Sequence, residues 1–390
     1  CLSSGGAREM RLLLSAGEVS GDQHGAALLR ALSARVEGLE VVGLGGDRCA
    51  ERGMRLLAHQ KDLAIIGFVE ALAKVRFAHR LMREMTREAL AQRVDAAVLI
   101  DSPDFHLPLA RRLAKAGVPV VFYVSPQVWA WRGGRARTLA RLGRGVLTLF
   151  RFEKGWYDAR GLGEHVTWVG HPLVDEAARE LAEPFPKAPA GRRRIVLMPG
   201  SRAGEVRRLL PILRDAVARL ATRRDDLDVV LVKADSVPDE LLREAAGEAL
   251  SGWSVVSGPH LALLAASDVL LVASGTATVE GLLAGIPMVV VYRVAALSYA
   301  LGRLLVKVPS VAMANILSDP GDGSRAVPEL LQGAATPERV AAEVERFLDD
   351  PARAAEARRR LASGREQLGP PGAPERAAEA LLALLGTGDA

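Results

Sequence analysis

The chain has 390 residues, 49% of them hydrophobic and 25% charged, with a net charge of +5. That length gives two or three domains, each with its own hydrophobic core, and that composition excludes a disordered chain. The mild positive charge suits an anionic partner such as a nucleotide or a phospholipid surface. Nucleic acid is excluded first, because no zinc-finger spacing, RNA-binding signature or aromatic-interleaved basic tract is present. The two cysteines, Cys1 and Cys49, exclude a disulfide framework and point to a reducing compartment. No signal peptide is visible, and no apolar run approaches the ~18 residues of a membrane-spanning helix. The expectation is a soluble cytoplasmic protein that is able to sit on a membrane.

Residues 1–9 precede Met10 and read as an upstream extension outside the fold. Arg11–Ser15 reads as a strand, and Ala16–Asp22 (AGEVSGD) as the loop into a helix that runs through Leu32. That loop brings Glu18, Ser20 and Asp22 to the carboxyl edge of the strand. It serves either as part of a site or as a helix start capped by Ser20 or Asp22. Val41–Leu44 is the next strand. Residues 62–83 then place Ile65, Phe68, Val69, Leu72 and Val75 at helical spacing, with Lys74, Arg76, Arg80 and Arg83 beside them. An apolar stripe bordered by cations fits a helix lying in an anionic membrane interface, although most such stripes face their own core.

Ala96–Ile100 reads as a buried strand that runs out into Asp101-Ser102-Pro103-Asp104-Phe105-His106. A central strand holds such an aspartate rigidly, so Asp101 is positioned to take a proton from a hydroxyl, with Asp104 or His106 close by. The plainer reading makes Asp101 or Ser102 a helix cap. Val118–Val124 is another strand, and Trp129 and Trp131 in the loop after it are either packed or form a wall for a sugar or acyl group. Val146–Phe150 is a strand, Phe152–Asp158 a helix, and Val166–Pro172 a strand with a turn. Glu183–Arg194 (EPFPKAPAGRRR) has the composition of a linker.

Beyond it the strand-helix alternation restarts, with strands at Ile195–Met198, Val229–Val232, Ser254–Val256, Val269–Ala273 and Met288–Val291. Two of its loops suit a diphosphate. Pro199-Gly200-Ser201-Arg202 offers a sharp turn, a hydroxyl and a two-pronged cation before a helix beginning near Glu205. Ser274-Gly275-Thr276-Ala277-Thr278 has no large side chain, so amides and hydroxyls can approach a ligand at a helix N-terminus. Glu280, one turn on, is placed to bind ribose hydroxyls or is simply solvated. Residues 298–308 look helical, Met313–Leu317 lies in or beside a loop, and 337–387 reads as a helix pair broken at Gly369–Gly372. No dinucleotide GxGxxG follows the first strand, which argues for a nucleotide-activated substrate and against NAD(P).

Taken together, AGEVSGD (16–22), IDSPDF (100–105), YVSPQVWAW (123–131), VGHPLVD (169–175), LMPGSR (197–202), ASGTATVE (273–280) and VPELLQ (327–332) resemble the lipid-A-disaccharide synthase family. The resemblance implies an α/β fold of GT-B type, with two doubly wound Rossmann-like parallel-sheet domains facing a central cleft. Residues 10–183 would form the acceptor and membrane-docking domain, and 184–350 the UDP-sugar domain. Residues 351–390 would be helices packing back on an N-terminal domain, exchanged between chains if the protein is a homodimer. The implied chemistry is inverting transfer from UDP-2,3-diacylglucosamine to 2,3-diacylglucosamine 1-phosphate, giving a β-1,6 disaccharide phosphate and UDP at the inner face of the bacterial inner membrane. By the same resemblance Asp101 is the base, with Glu18 and Asn315 also catalytic candidates. Ser201, Arg202, Ser274, Gly275, Thr276 and Glu280 would hold UDP, and Ile65, Phe68, Val69 and Leu72 would dock on the anionic membrane. Neither a cofactor nor a metal is expected, since the UDP-sugar is a substrate. The account requires Asp101 and Arg202 to meet across one gap. Its rivals are a UDP-N-acetylglucosamine 2-epimerase and a nucleotide-binding peripheral membrane protein.

Overall fold

A computed structural model of the chain describes residues 9–64, 71–131, 133–294 and 310–386. The chain divides into two compact units. One comprises the residues up to Pro172 together with those from Leu368 onward, and the other is Leu173–Gln367.

The first unit is built on strands β1 (Met10–Ala16), β2 (Leu39–Gly45), β3 (Arg55–His59), β4 (Ala96–Ile100), β5 (Val120–Tyr123), β6 (Gly145–Thr148) and β7 (Val166–Trp168). They form one seven-stranded sheet in the order β3-β2-β1-β4-β5-β6-β7, with every adjacent pair parallel. The apolar runs explain the order. Every residue of β4, β5 and β6 is buried, as expected where helices cover both faces of a parallel sheet. Leu13, Val42, Leu99, Phe122 and Val146 meet Leu81, Met85, Leu109 and Leu113 from the covering helices in one core.

The second unit repeats the plan with β8 (Arg193–Met198), β9 (Leu227–Lys233), β10 (Ser254–Ser257), β11 (Val269–Ala273), β12 (Met288–Tyr292) and β13 (Glu329–Leu331). Its six strands are parallel in the order β10-β9-β8-β11-β12-β13. In each sheet the order reverses once, between β1 and β4 and between β8 and β11. Ligands bind at such reversals, outside the carboxyl ends of the strands.

Two short strands went unread in the sequence, β3 and β13. The expected domain boundary also moves. The helix Leu173–Glu180 belongs to the second unit because its buried Leu173 and Ala177 pack on the helices Leu261–Ala265 and Thr276–Ala284. The Pro-rich stretch after it is tied to the second unit by Arg194. That guanidinium bonds Asp228 at 2.7 Å and the carbonyl of Pro186 at 2.6 Å, and it lies 5.5 Å from the Phe185 ring. At the other end, the helices are three rather than two: Pro337–Asp349, Pro351–Gly364 and Ala373–Gly386. Asp350 makes the extra break by accepting the Arg353 N–H at 3.0 Å ahead of Pro351. The helix Pro351–Gly364 stays with the second unit. Only Ala373–Gly386 joins the first, on the helix Val19–Ser33, where Arg35 pairs with Glu379 at 2.9 Å. Among the described residues, no helix is long and apolar enough to cross a membrane.

Of the expected docking stripe, Ile65, Phe68 and Val69 lie outside the described residues. Leu72 falls within the helix Ala71–Ala91, whose Val75 is exposed. The stretch 298–308 also lies outside the described residues.

Candidate active site

In the first unit, β1 and β4 end side by side, with Ala16 opposite Ile100. Their loops touch: a Cβ at Gly17 would come within 2.7 Å of the Ser102 hydroxyl, so a larger residue there would have to displace that side chain. Asp101 is half-buried at the mouth of β4. Its φ is +52°, and that of Ser102 is +43°. Two successive non-glycine residues in the left-handed region mark a backbone that its surroundings must hold. Glu18 is exposed at the N-cap position of the helix Val19–Ser33, but its side chain makes no cap bond. Asp22, expected as an alternative cap, is instead buried and accepts the N–H groups of Gly46, Arg48 and Cys49 at 2.7, 3.1 and 3.2 Å. Asp104 pairs with Arg135 at 2.9 Å on the surface.

The half-buried Trp129 turns its indole N–H to Glu153 Oε1 at 3.1 Å, and its ring meets Phe152 edge-on at 4.9 Å. Glu153 was missed in the sequence. It is buried, its second oxygen accepts the Phe150 N–H at 3.2 Å, and burial pushes its carboxyl up to about 8, aided by the charge of Asp101. At neutral pH it is therefore a neutral acid beside the loops of this sheet. An acid in the first turn of a helix gave the sequence no hint of that burial.

In the second unit, β8 and β11 also end together, with Met198 opposite Val272. Gly200 has φ +114°, and a Cβ there would meet Glu205 Oε2 at 2.5 Å. The carbonyl of Ser201 accepts the Ser236 hydroxyl at 2.7 Å. Arg202 is the N-cap residue of the helix Ala203–Ala221, and its exposed guanidinium lies 3.1 Å from Glu205 Oε1. After β11, Ser274 donates to the Val311 carbonyl at 3.2 Å. Gly275 has φ +147°, and a Cβ there would meet nothing within 4 Å. It and the exposed Thr276 leave the N-terminus of the helix Thr276–Ala284 open to a ligand.

Glu280, half-buried, faces His260 at 3.4 Å. Burial alone would lower that imidazole, but the carboxylate outweighs it and lifts the histidine to about 9. His260 was also missed, because a lone histidine after Gly258-Pro259 carries no signal of its partner. The second unit thus presents a guanidinium, an imidazolium and two helix N-termini around its strand reversal, a set suited to an anion.

Asn315, a catalytic candidate in the sequence, belongs to a buried hydrogen-bond network in the structure. It is buried at 1% exposure, its Nδ2 donates to the Val327 carbonyl at 2.9 Å and to Glu329 Oε1 at 2.8 Å, and its Oδ1 accepts the Val327 N–H at 3.0 Å. Glu329 in turn accepts the N–H groups of Val311 and Ala312 at 3.0 and 3.1 Å. With its amide engaged on both sides, Asn315 holds the segment beside Ser274.

The family model for lipid-A-disaccharide synthetase matches residues 12–383. A lipid-A-disaccharide synthase of Anaeromyxobacter dehalogenans is 42% identical over 380 residues, covering 96% of this chain and 97% of its own. Among solved structures, the fold is similar to the UDP-GlcNAc 2-epimerase of Neisseria meningitidis bound to UDP-GlcNAc, with TM-score 0.65, 12% identity and coverage of 96% of this chain and 100% of that one. It is equally similar to the calicheamicin glycosyltransferase, with TM-score 0.65, 16% identity and coverage of 98% and 100%. At such identities the two structures bear on the fold alone, which is the GT-B architecture of paired parallel sheets.

Proposed function

The chain belongs to the lipid-A-disaccharide synthase family, and from that membership we propose that it joins UDP-2,3-diacylglucosamine to 2,3-diacylglucosamine 1-phosphate. The products are the β-1,6-linked disaccharide 1-phosphate and UDP. Asp101 takes the proton of the acceptor 6-hydroxyl as that oxygen bonds to the donor's anomeric carbon. The bond to the diphosphate breaks on the opposite face of the sugar, which inverts the configuration. The leaving diphosphate takes the electron pair, and Arg202, the Ser201 loop and the amides that open the helix Thr276–Ala284 stabilise its charge. Glu280 receives the ribose hydroxyls. The observation that carries this reading is the contrast between the two strand reversals, a half-buried aspartate at the end of β4 and a cationic, amide-rich pair of loops at the ends of β8 and β11.

The acceptor and donor are lipids, so the protein works at a surface. The expected docking segment ends in the helix Ala71–Ala91, where Val75 is 52% exposed beside the exposed Arg76. An exposed apolar residue flanked by cations supports docking on anionic lipid, at the inner face of the inner membrane. A homodimer would exchange the helix Ala373–Gly386 between chains through the salt bridges that this helix makes with Arg30 and Arg35. Incubation of the purified protein with the two glycolipids, followed by mass detection of disaccharide and UDP, tests the reaction.

A further inference from the structure

Left-handed backbone strains a non-glycine residue, and Asp101 and Ser102 adopt it in succession. A buried side chain ties this turn down. His106, 1% exposed on the helix Pro103–Lys115, sets its Nδ1 2.6 Å from the Asp101 carbonyl oxygen and its Nε2 2.7 Å from the hydroxyl of Ser15. A carbonyl only accepts, so Nδ1 carries a proton and donates it. Burial drives the ring's basicity down to about 4, which leaves the imidazole neutral, and Nε2 must then accept the Ser15 O–H. Ser15 itself is fully buried on β1, opposite Leu99 of β4. A one-way chain of donors therefore runs from the first strand, through the imidazole, to the main chain of Asp101.

We propose that His106 is a positioning residue for the reaction, fixing the direction of the Asp101 carboxylate through its main-chain carbonyl, while Ser15 serves only to hold the ring in its Nδ1-protonated form. At 1% and 0% exposure neither side chain reaches a substrate. The effect of His106 passes through the turn, where a carboxylate rotated by a fraction of its length no longer meets the acceptor hydroxyl. The inference rests on the reading of Asp101 as the base.

Two amides separate positioning from mere packing. The side-chain nitrogen of asparagine occupies the place of imidazole Nδ1, whereas glutamine places its amide near Nε2. His106→Asn keeps the donor to the Asp101 carbonyl, and its kcat stays close to that of the wild type. His106→Gln loses that donor, and its kcat falls about 100-fold, the scale of an ångström-sized misplacement of a reacting group. KM for the UDP-sugar and the affinity for UDP are unchanged in both. Equal turnover of the two variants overturns the positioning role. Asp101→Asn, assayed in parallel, distinguishes the two layers: if it turns over normally, the base reading fails; if it is inactive while the two His106 variants match, only the positioning role fails. Should the variants not fold, ¹⁵N spectra of the wild-type imidazoles decide. A neutral ring protonated at Nδ1 supports the chain of donors, and an Nε2-protonated ring or an imidazolium at neutral pH overturns it.

Discussion

Glu280 Oε2 and His260 Nε2 lie 3.4 Å apart in the second unit, both largely shielded from water, at an angle that makes the contact an ion pair and not a hydrogen bond. The Nδ1 of the same ring donates to the Gly258 carbonyl at 2.9 Å, which fixes the ring plane. The pair therefore holds the carboxylate proposed for the ribose in one orientation. Because the folded pKa of His260 is raised to about 9 from an ordinary 6.5, its contribution to stability is complete below the ordinary value and is lost as pH rises through 9. Urea unfolding of His260→Asn is expected to show a deficit against the wild type at about pH 6 that closes towards about pH 10. A deficit independent of pH would remove the ion pair as its cause.

Glu153 has the same sign, over a more acid interval. Its folded carboxyl is raised to about 8 from 4.5 by burial. Between those values the unfolded chain is ionised while the folded one keeps its proton, so stability falls with rising pH, by on the order of a few kcal/mol in all. Glu153→Gln removes the titration, and its stability should vary less across this interval than that of the wild type. The slope is the readout, because the Gln amide must also face either the Trp129 or the Phe150 N–H, which adds a constant cost.

Asn315→Ala takes one acceptor and two donors from a buried network. A loss of roughly 2–4 kcal/mol of stability is expected on denaturant unfolding. Unchanged stability with lost transfer would instead assign Asn315 a direct catalytic role.

Replacing Ile65, Phe68 and Leu72 together with serine should release the protein from anionic vesicles in a flotation assay while leaving UDP binding intact. Flotation equal to that of the wild type would remove the docking surface.

The strands that position the site were legible because they are continuous apolar runs. Ala96–Ile100 and Val269–Ala273 were read to the residue, and the loops beyond them followed from small and charged residues at strand ends. The edge strand Arg55–His59 was not legible, since only partial burial shapes its sequence. Residues acting through long-range partners were the least readable. Asn315 was singled out, yet its partners Val327 and Glu329 lie twelve and fourteen residues on, and no local pattern says that its amide is engaged by them. Ser15 and His106 are 91 residues apart, and only the parallel pairing of β1 with β4 brings them together. The Pro-rich stretch looked like a boundary by composition, but Arg194 and Asp228 bind it to the second unit.

The central claim is that Asp101 does the chemistry while the second unit holds the nucleotide. The direct measurement is turnover and UDP affinity of Asp101→Ala beside the wild type, with both glycolipids supplied and products weighed by mass spectrometry. The account predicts disaccharide and UDP from the wild type, neither from the variant, and equal UDP affinity in the two. Undiminished disaccharide from the variant, or a wild type that makes only the manno epimer from UDP-N-acetylglucosamine, would contradict it.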